Sequence, residues 1–307
     1  MDRVYDNVHE AYLGTLADVL DNPQFICSPR GQKIKEVLDY KFVIKKPTVE
    51  TIITHDKERN KIITSYTQKE SELYNSGTNL AEDFGRASKF WLKLANPDDT
   101  INSAYGYLIK HKKSHGNPIY ELDDKLKQQV TNFGVHEYLM NHAHEAMRTP
   151  WEWCVDALKT DKDTRQAILR FSLPEHFYKG NKDMVCTLAG NFHIREDKLF
   201  FSIHMRSNDL MLGLVYDLPW FISLMDDMID ELKDEYPNLT KGTYTHKVDS
   251  IHIYERDEEK ILKMLGRGEQ MSDKTYCKDC GTETEPGRGS ARCPSCWNDR
   301  FGGGADE

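Results

Sequence analysis

Cys186 and Arg206 are the first residues in this chain whose types suggest chemistry. A thiolate is a strong nucleophile, and a neighbouring guanidinium favours the ionised form of a thiol. Between them runs TLAGNFHIREDKLFFSIHM. Its alternation predicts a strand over Val185–Arg195, a polar turn at Glu196-Asp197-Lys198 and a return strand over Leu199–Ser207. That hairpin would set Cys186 beside Arg206. By themselves the two residues also fit a buried inert thiol and a surface cation. A second constellation lies near the C-terminus: Cys277-x-x-Cys280 and Cys293-x-x-Cys296, separated by a loop containing Gly and Pro. Paired CxxC knuckles at this spacing predict a structural, tetrahedral zinc site. Four protein ligands leave no open position, so no catalysis is expected there.

The order of residue types around the hairpin is more telling. Cys186, Asn191-Phe192, Arg206-Ser207-x-Asp209 and Leu212-Gly213-Leu214, with a polar residue at 217, resemble the core of thymidylate synthases and related pyrimidine hydroxymethylases. The departure that matters most is Asp217, where the synthases place an asparagine. An ionised carboxylate only accepts hydrogen bonds, so it suits the amino edge of cytosine rather than uracil. Aspartate here is what the deoxycytidylate hydroxymethylase branch carries. Asp217 just before Leu218-Pro219 also fits a helix N-cap, and both roles can coexist.

The resemblance extends to other stretches and implies roles for them. Arg30 in the loop Cys27–Lys33 would hold the nucleotide phosphate. Glu70, spaced correctly from Gly77-Thr78-Asn79, would organise water and proton transfers around the pyrimidine; Glu72 is the near alternative. Trp91, followed by Tyr105-Gly106, matches a folate-stacking tryptophan and a Tyr-Gly pair, and an aromatic face suits a flat pterin. Arg206, Ser207 and Asp209 belong to the substrate and cofactor site. His252-x-Tyr254 would bind the sugar hydroxyl, and alternation on a strand puts both residues on one face. Arg165 would reach across a homodimer to the partner's phosphate, although Gln166 replaces a second arginine. Val185, Thr187 and Asn191 also depart from the family pattern.

The implied reaction uses 5,10-methylenetetrahydrofolate to place a one-carbon unit on C5 of a nucleotide monophosphate, dCMP to 5-hydroxymethyl-dCMP, through a Cys186–C6 adduct. The alternatives are hydroxymethylation or methylation of dUMP, and hydroxymethylation of CMP. A rival of another class is a catalytically dead protein that binds nucleic acid through its zinc module.

These residues must be held by a sizeable core. The chain has 307 residues, 38% of them hydrophobic and 10% aromatic, which is enough for one. The expected fold is α/β (α+β), the thymidylate synthase-like three-layer arrangement on a large bent mixed sheet. The expected divisions are a catalytic domain over 1–265, a polar linker, a zinc ribbon over 274–300 and a disordered tail over 301–307. Helices are predicted over 3–20, from Ser65 onward, over 121–148, from Trp151 to about Leu158 and from Trp220 to about Tyr236. Strands are predicted over Val37–Ile44 and Thr51–Thr54. A net charge of −9 argues against a surface devoted to nucleic acid. No apolar run approaches a membrane span. The N-terminus lacks the apolar stretch of a secretory signal. Seven cysteines, four of them in CxxC pairs, fit a reducing compartment. The expectation is a soluble cytoplasmic protein.

Overall fold

The computed structural model describes residues 3–115 and 147–267, together with the backbone of 275–276 and 283–284. The helix predicted over 121–148 therefore lies almost wholly outside the described residues. So do the four cysteines of the expected zinc site and the 301–307 tail.

The alternation read in the hairpin belongs to one large mixed sheet. The path runs β1 (Arg3–Tyr5), β3 (Ile34–Ile44), β8 (Thr240–Tyr254), β6 (Lys198–Met205), β5 (Thr187–Arg195) and β4 (Ile168–Arg170). β2 (Phe25–Cys27) adds to β3, and β7 (Asn208–Asp209) adds to β8. β3 pairs antiparallel with β8, β8 parallel with β6, and β6 antiparallel with β5.

Register puts whole rows of residues on one face. Phe192, Phe201, Tyr244 and Ile44 are neighbours across four strands, and all are buried. Phe192 and Phe201 stack with ring centroids 4.1 Å apart. The next row, Asn191, Ser202, Thr245 and Val43, faces the other way and stays partly exposed.

The helices pack on the buried face, and three of them matter for the site. α2 (Lys57–Ser76) starts where the Asp56 side chain accepts from the N–H groups of Glu58 and Arg59. α4 (Tyr105–Lys110) crosses α2 so closely that a Cβ on Gly106 would sit 1.8 Å from the Tyr74 carbonyl oxygen. Only glycine fits there, which gives the Tyr105-Gly106 pair a packing reason. α6 (Val215–Leu232) lies across β6 and β8, and Trp220 and Phe221 pack against Tyr105. The remaining helices are α1 (Val8–Asp21), α3 (Ala81–Ala87), α5 (Pro150–Thr160) and α7 (Glu258–Met264).

Several expectations are corrected. Residues 3–20 are not one helix: Arg3–Tyr5 pair with Phe42–Ile44, and Asn7 caps α1 by accepting from Glu10 N–H. Thr51–Thr54 form no strand, because side chains take their backbone groups. Ile53 N–H donates to His9 Nδ1, and Thr54 N–H to Asn60 Oδ1. α2 begins at Lys57, about two turns before Ser65. α6 begins at Val215 and ends at Leu232. The turn of the hairpin has two residues, Glu196 and Asp197, both at positive φ (51° and 55°), and Lys198 already belongs to β6. Beyond α7, the backbones of Thr275–Tyr276 and Glu283–Thr284 form a short antiparallel pair. No helix among the described residues is long and apolar enough to cross a membrane.

Candidate active site

The hairpin sets Cys186 beside Arg206, as its register requires. Thr187 pairs with Met205, and the next N–H, that of Arg206, donates to the Cys186 carbonyl at 2.8 Å. The Arg206 guanidinium is pinned by two carbonyls, Val185 O at 3.0 Å and Met184 O at 2.5 Å, and Nη2 lies 3.5 Å from Cys186 Sγ. The loop leading into the nucleophile is fixed as well. Asp183 accepts from the N–H and hydroxyl of Ser103 at 2.7 and 2.5 Å, which ties it to the start of α4. Burial raises the Cys186 thiol above its ordinary range; Arg206 and, more weakly, Arg30 pull it down, while Asp217 and Asp183 push it up. The guanidinium alone therefore does not hold a thiolate here.

Two buried carboxylic acids accompany the sulfur, and the charge of Asp217 acts on both Glu70 and Cys186. Glu70, buried on α2, is pushed up to about 8, chiefly by burial and then by the charge of Asp217. Tyr66, one turn earlier, donates to Glu70 Oε1 at 3.2 Å and accepts from Trp91 Nε1 at 2.8 Å. A Trp91–Tyr66–Glu70 chain results. Glu72, the near alternative, is exposed. Asp217, buried in the first turn of α6, is pushed up to about 6 by burial and by Asp209, while Asn208 opposes the rise. It caps no helix. α6 has Leu214 at its N-cap position and no side-chain cap, while Asp209 caps the preceding turn Leu210–Leu214 by accepting from Met211 and Leu212 N–H. The helix reading of Asp217 thus gives way to a buried carboxylate that accepts from Asn208 Nδ2 at 2.8 Å.

The remaining predicted residues divide into two groups. Asp209 is the register partner of His252 on β8, and burial raises its carboxyl while His252 opposes the rise. His252 is buried with Nδ1 unpartnered, and its ring meets Tyr254 edge to face at 5.5 Å. Arg30 sits exposed in a left-handed conformation (φ 52°) in the turn Pro29–Gly31, where its charge is felt by Tyr254 and Cys186. Tyr105 is buried within the field of Asp217 and Cys186. Ser207 follows Arg206 directly and is half-buried. These residues gather around Cys186. Arg165 does not: it lies near the opposite end of β5, where Phe192 N–H bonds Ala167 O, roughly 20 Å along the strand. There it lines an open hollow of about 400 Å³ with Arg170, His115 and Trp153.

Two residues of the cluster are absent from the sequence reading. Tyr66 was findable, since a residue four before Glu70 on a helix lies on the same face. Asn208 gave no local signal, because its partner Asp217 meets it only through the packing of α6 on β7.

A sequence model of the family described as "Thymidylate synthase" matches residues 12–278. The chain belongs to the thymidylate synthase family. It is 23% identical over 244 residues to the deoxycytidylate 5-hydroxymethyltransferase of Enterobacteria phage T4, covering 77% of this chain and 82% of the relative. It is 25% identical over 268 residues to the deoxyuridylate hydroxymethyltransferase of Bacillus phage SP01, covering 84% of this chain and 61% of the relative. The fold matches that of thermostable thymidylate synthase A from Bacillus subtilis with a TM-score of 0.58 at 15% identity, over 85% of this chain and 84% of that one. Thymidylate synthases and their relatives transfer a one-carbon unit from methylenetetrahydrofolate to a pyrimidine nucleotide, and this chain is a transferase of that kind. Its residues suit the folate: the Trp91 ring is partly exposed, held edge to face by Phe84 and Phe90, with exposed Leu92 beside it, so an aromatic surface is available to a flat pterin.

Proposed function

We propose that this member of the family converts dCMP to 5-hydroxymethyl-dCMP. The observation that carries this reading is the Asp217 carboxylate, buried near Cys186 and held by an amide donor. Ionised, it offers only acceptors, which match the exocyclic amine of cytosine and leave the uracil O4 edge unpaired.

The balanced reaction is dCMP plus methylenetetrahydrofolate plus water, giving 5-hydroxymethyl-dCMP and tetrahydrofolate. The folate supplies the carbon at the oxidation level of formaldehyde. Cys186 Sγ adds to C6 and makes C5 nucleophilic toward the one-carbon unit. Loss of the C5 proton then expels tetrahydrofolate from that carbon, and the sulfur leaves C6 as water adds to the same carbon. Arg206 sits against the sulfur and favours the thiolate while burial disfavours it. Arg30 and Arg206 bind phosphate, Ser207 joins them, and His252 and Tyr254 hold the sugar hydroxyl; the unpartnered His252 Nδ1 supports this. Tyr105 closes the site beneath the base. Glu70 places the attacking water, with Tyr66 fixing its carboxyl. Trp91 carries the pterin and Asp209 anchors it. Arg165 serves the site of a second chain in a homodimer. A structural zinc on Cys277, Cys280, Cys293 and Cys296 belongs to the same reading, on their spacing alone.

A second reading is hydroxymethylation of dUMP, favoured by the SP01 relative and by Asp217 being protonatable near neutral pH. A protonated carboxyl can donate to O4. Incubation with dCMP, CMP and dUMP plus methylenetetrahydrofolate, with products weighed by mass spectrometry, separates these readings. The expected product is dCMP plus one hydroxymethyl group, with no dihydrofolate formed; dihydrofolate marks a methyl product. Cys186→Ser is expected to abolish turnover and keep nucleotide binding.

A further inference from the structure

Asn208 occupies the variable position of the Arg206-Ser207-x-Asp209 run, and it is only 3% exposed. Its Nδ2 lies 2.8 Å from Asp217 Oδ2 and 3.2 Å from Met205 Sδ. A carboxylate oxygen only accepts, so the amide must turn its NH2 toward Asp217, and the orientation of the group is set. Its other end, Oδ1, is buried and has no partner. A buried carbonyl without a donor is costly and calls for an explanation. Gly213 packs closely on the pair: a Cβ there would stand 3.1 Å from Asn208 Nδ2 and 3.3 Å from Asp217 Oδ2, tight enough to press on both.

We propose that Asn208 is a specificity-determining residue: Nδ2 pins Asp217, and Oδ1 accepts one N–H of a 4-amino pyrimidine, directly or through one water, while Asp217 accepts the other. This inference rests on the cytosine reading and deepens it. An amino group has two hydrogens to give; a 4-oxo group has none, and it would leave both acceptors facing a third. With Oδ2 already engaged by Asn208, Asp217 Oδ1 is the oxygen left for the base.

The test is kcat/KM for dCMP and for dUMP in Asn208→Leu, which keeps the volume and removes both polar atoms, and in Asn208→Ser. The expected result is a fall of about tenfold or more in the dCMP-to-dUMP ratio, borne mainly by dCMP. A merely structural role would lower both substrates together and leave the ratio unchanged, and that result overturns the proposal. Should both variants lose their cooperative melting transition, the unaltered enzyme gives the answer. There, dCMP carrying one methyl group on its amine is expected to bind about tenfold or more weaker than dCMP, and equal binding overturns the proposal. Failure of the unaltered chain to bind or turn over dCMP defeats the underlying base assignment. Turnover of dCMP with an unchanged ratio in the variants defeats only the role of Asn208.

Discussion

Glu70 and Asp217 are both buried carboxylic acids, and their environments move both upward by different amounts: Glu70 to about 8, Asp217 to about 6. Between those values one is protonated and the other ionised, the usual arrangement for dividing acid and acceptor roles. Asp217 must be ionised to accept from an amine, so kcat/KM for dCMP is expected to fall as pH drops through about 6. Asp217→Asn should remove that acid limb and shift preference from dCMP toward dUMP; a limb that persists in the variant assigns it to another group. Glu70 carries a stability consequence of its own. Its folded value lies above the ordinary 4.5, so the folded chain binds the proton more tightly than the unfolded one. Stability from this group is complete below about 4.5 and is lost as pH rises toward 8. Glu70→Gln should therefore raise the melting temperature at pH 8, by a stability on the order of a few kcal/mol, while destroying turnover. Scanning calorimetry of both forms at pH 5 and pH 8 checks it, the gain being small at pH 5.

At the scale of elements, the hairpin was the most legible part of the chain. Alternation in FSIHM, and in GNFHI on the partner strand, fixes which residues face the core, and a one-residue slip would have turned Phe192 and Phe201 outward. Cys186 and Arg206 follow from that register. Shorter elements escaped reading: β1 has three residues and exists because β3 offers an edge, and Thr51–Thr54 resembles a strand until His9 and Asn60 take its N–H groups. Neither partner is visible in a local window. The Asp217–Asn208 contact was hidden for the same reason. The hairpin turn also carries a cost, since neither Glu196 nor Asp197 prefers positive φ. Glu196→Gly should stabilise the chain by up to about 1 kcal/mol, read from urea unfolding. A loss instead would show that the glutamate side chain makes a contribution larger than the strain.

For the whole molecule, the sheet supplies the main asymmetry. One face is covered by helices and forms the core; the row Asn191, Ser202, Thr245 and Val43 on the other is partly exposed. A broad, partly exposed sheet face beside the distant Arg165 supports the proposed homodimer. Light scattering is expected to give twice the mass of the chain. Mixing Cys186→Ser with Arg165→Ala is expected to recover activity that neither has alone, because one site of the hybrid regains both groups; no recovery would confine Arg165 to its own chain.

In the proposed homodimer, the placement of Arg165 beside the far end of β5 has one more effect. A lone chain then owns every group for the base and sugar but an incomplete clamp for the phosphate. Dilution would act as a selective inhibitor, loosening nucleoside monophosphates and sparing plain nucleosides.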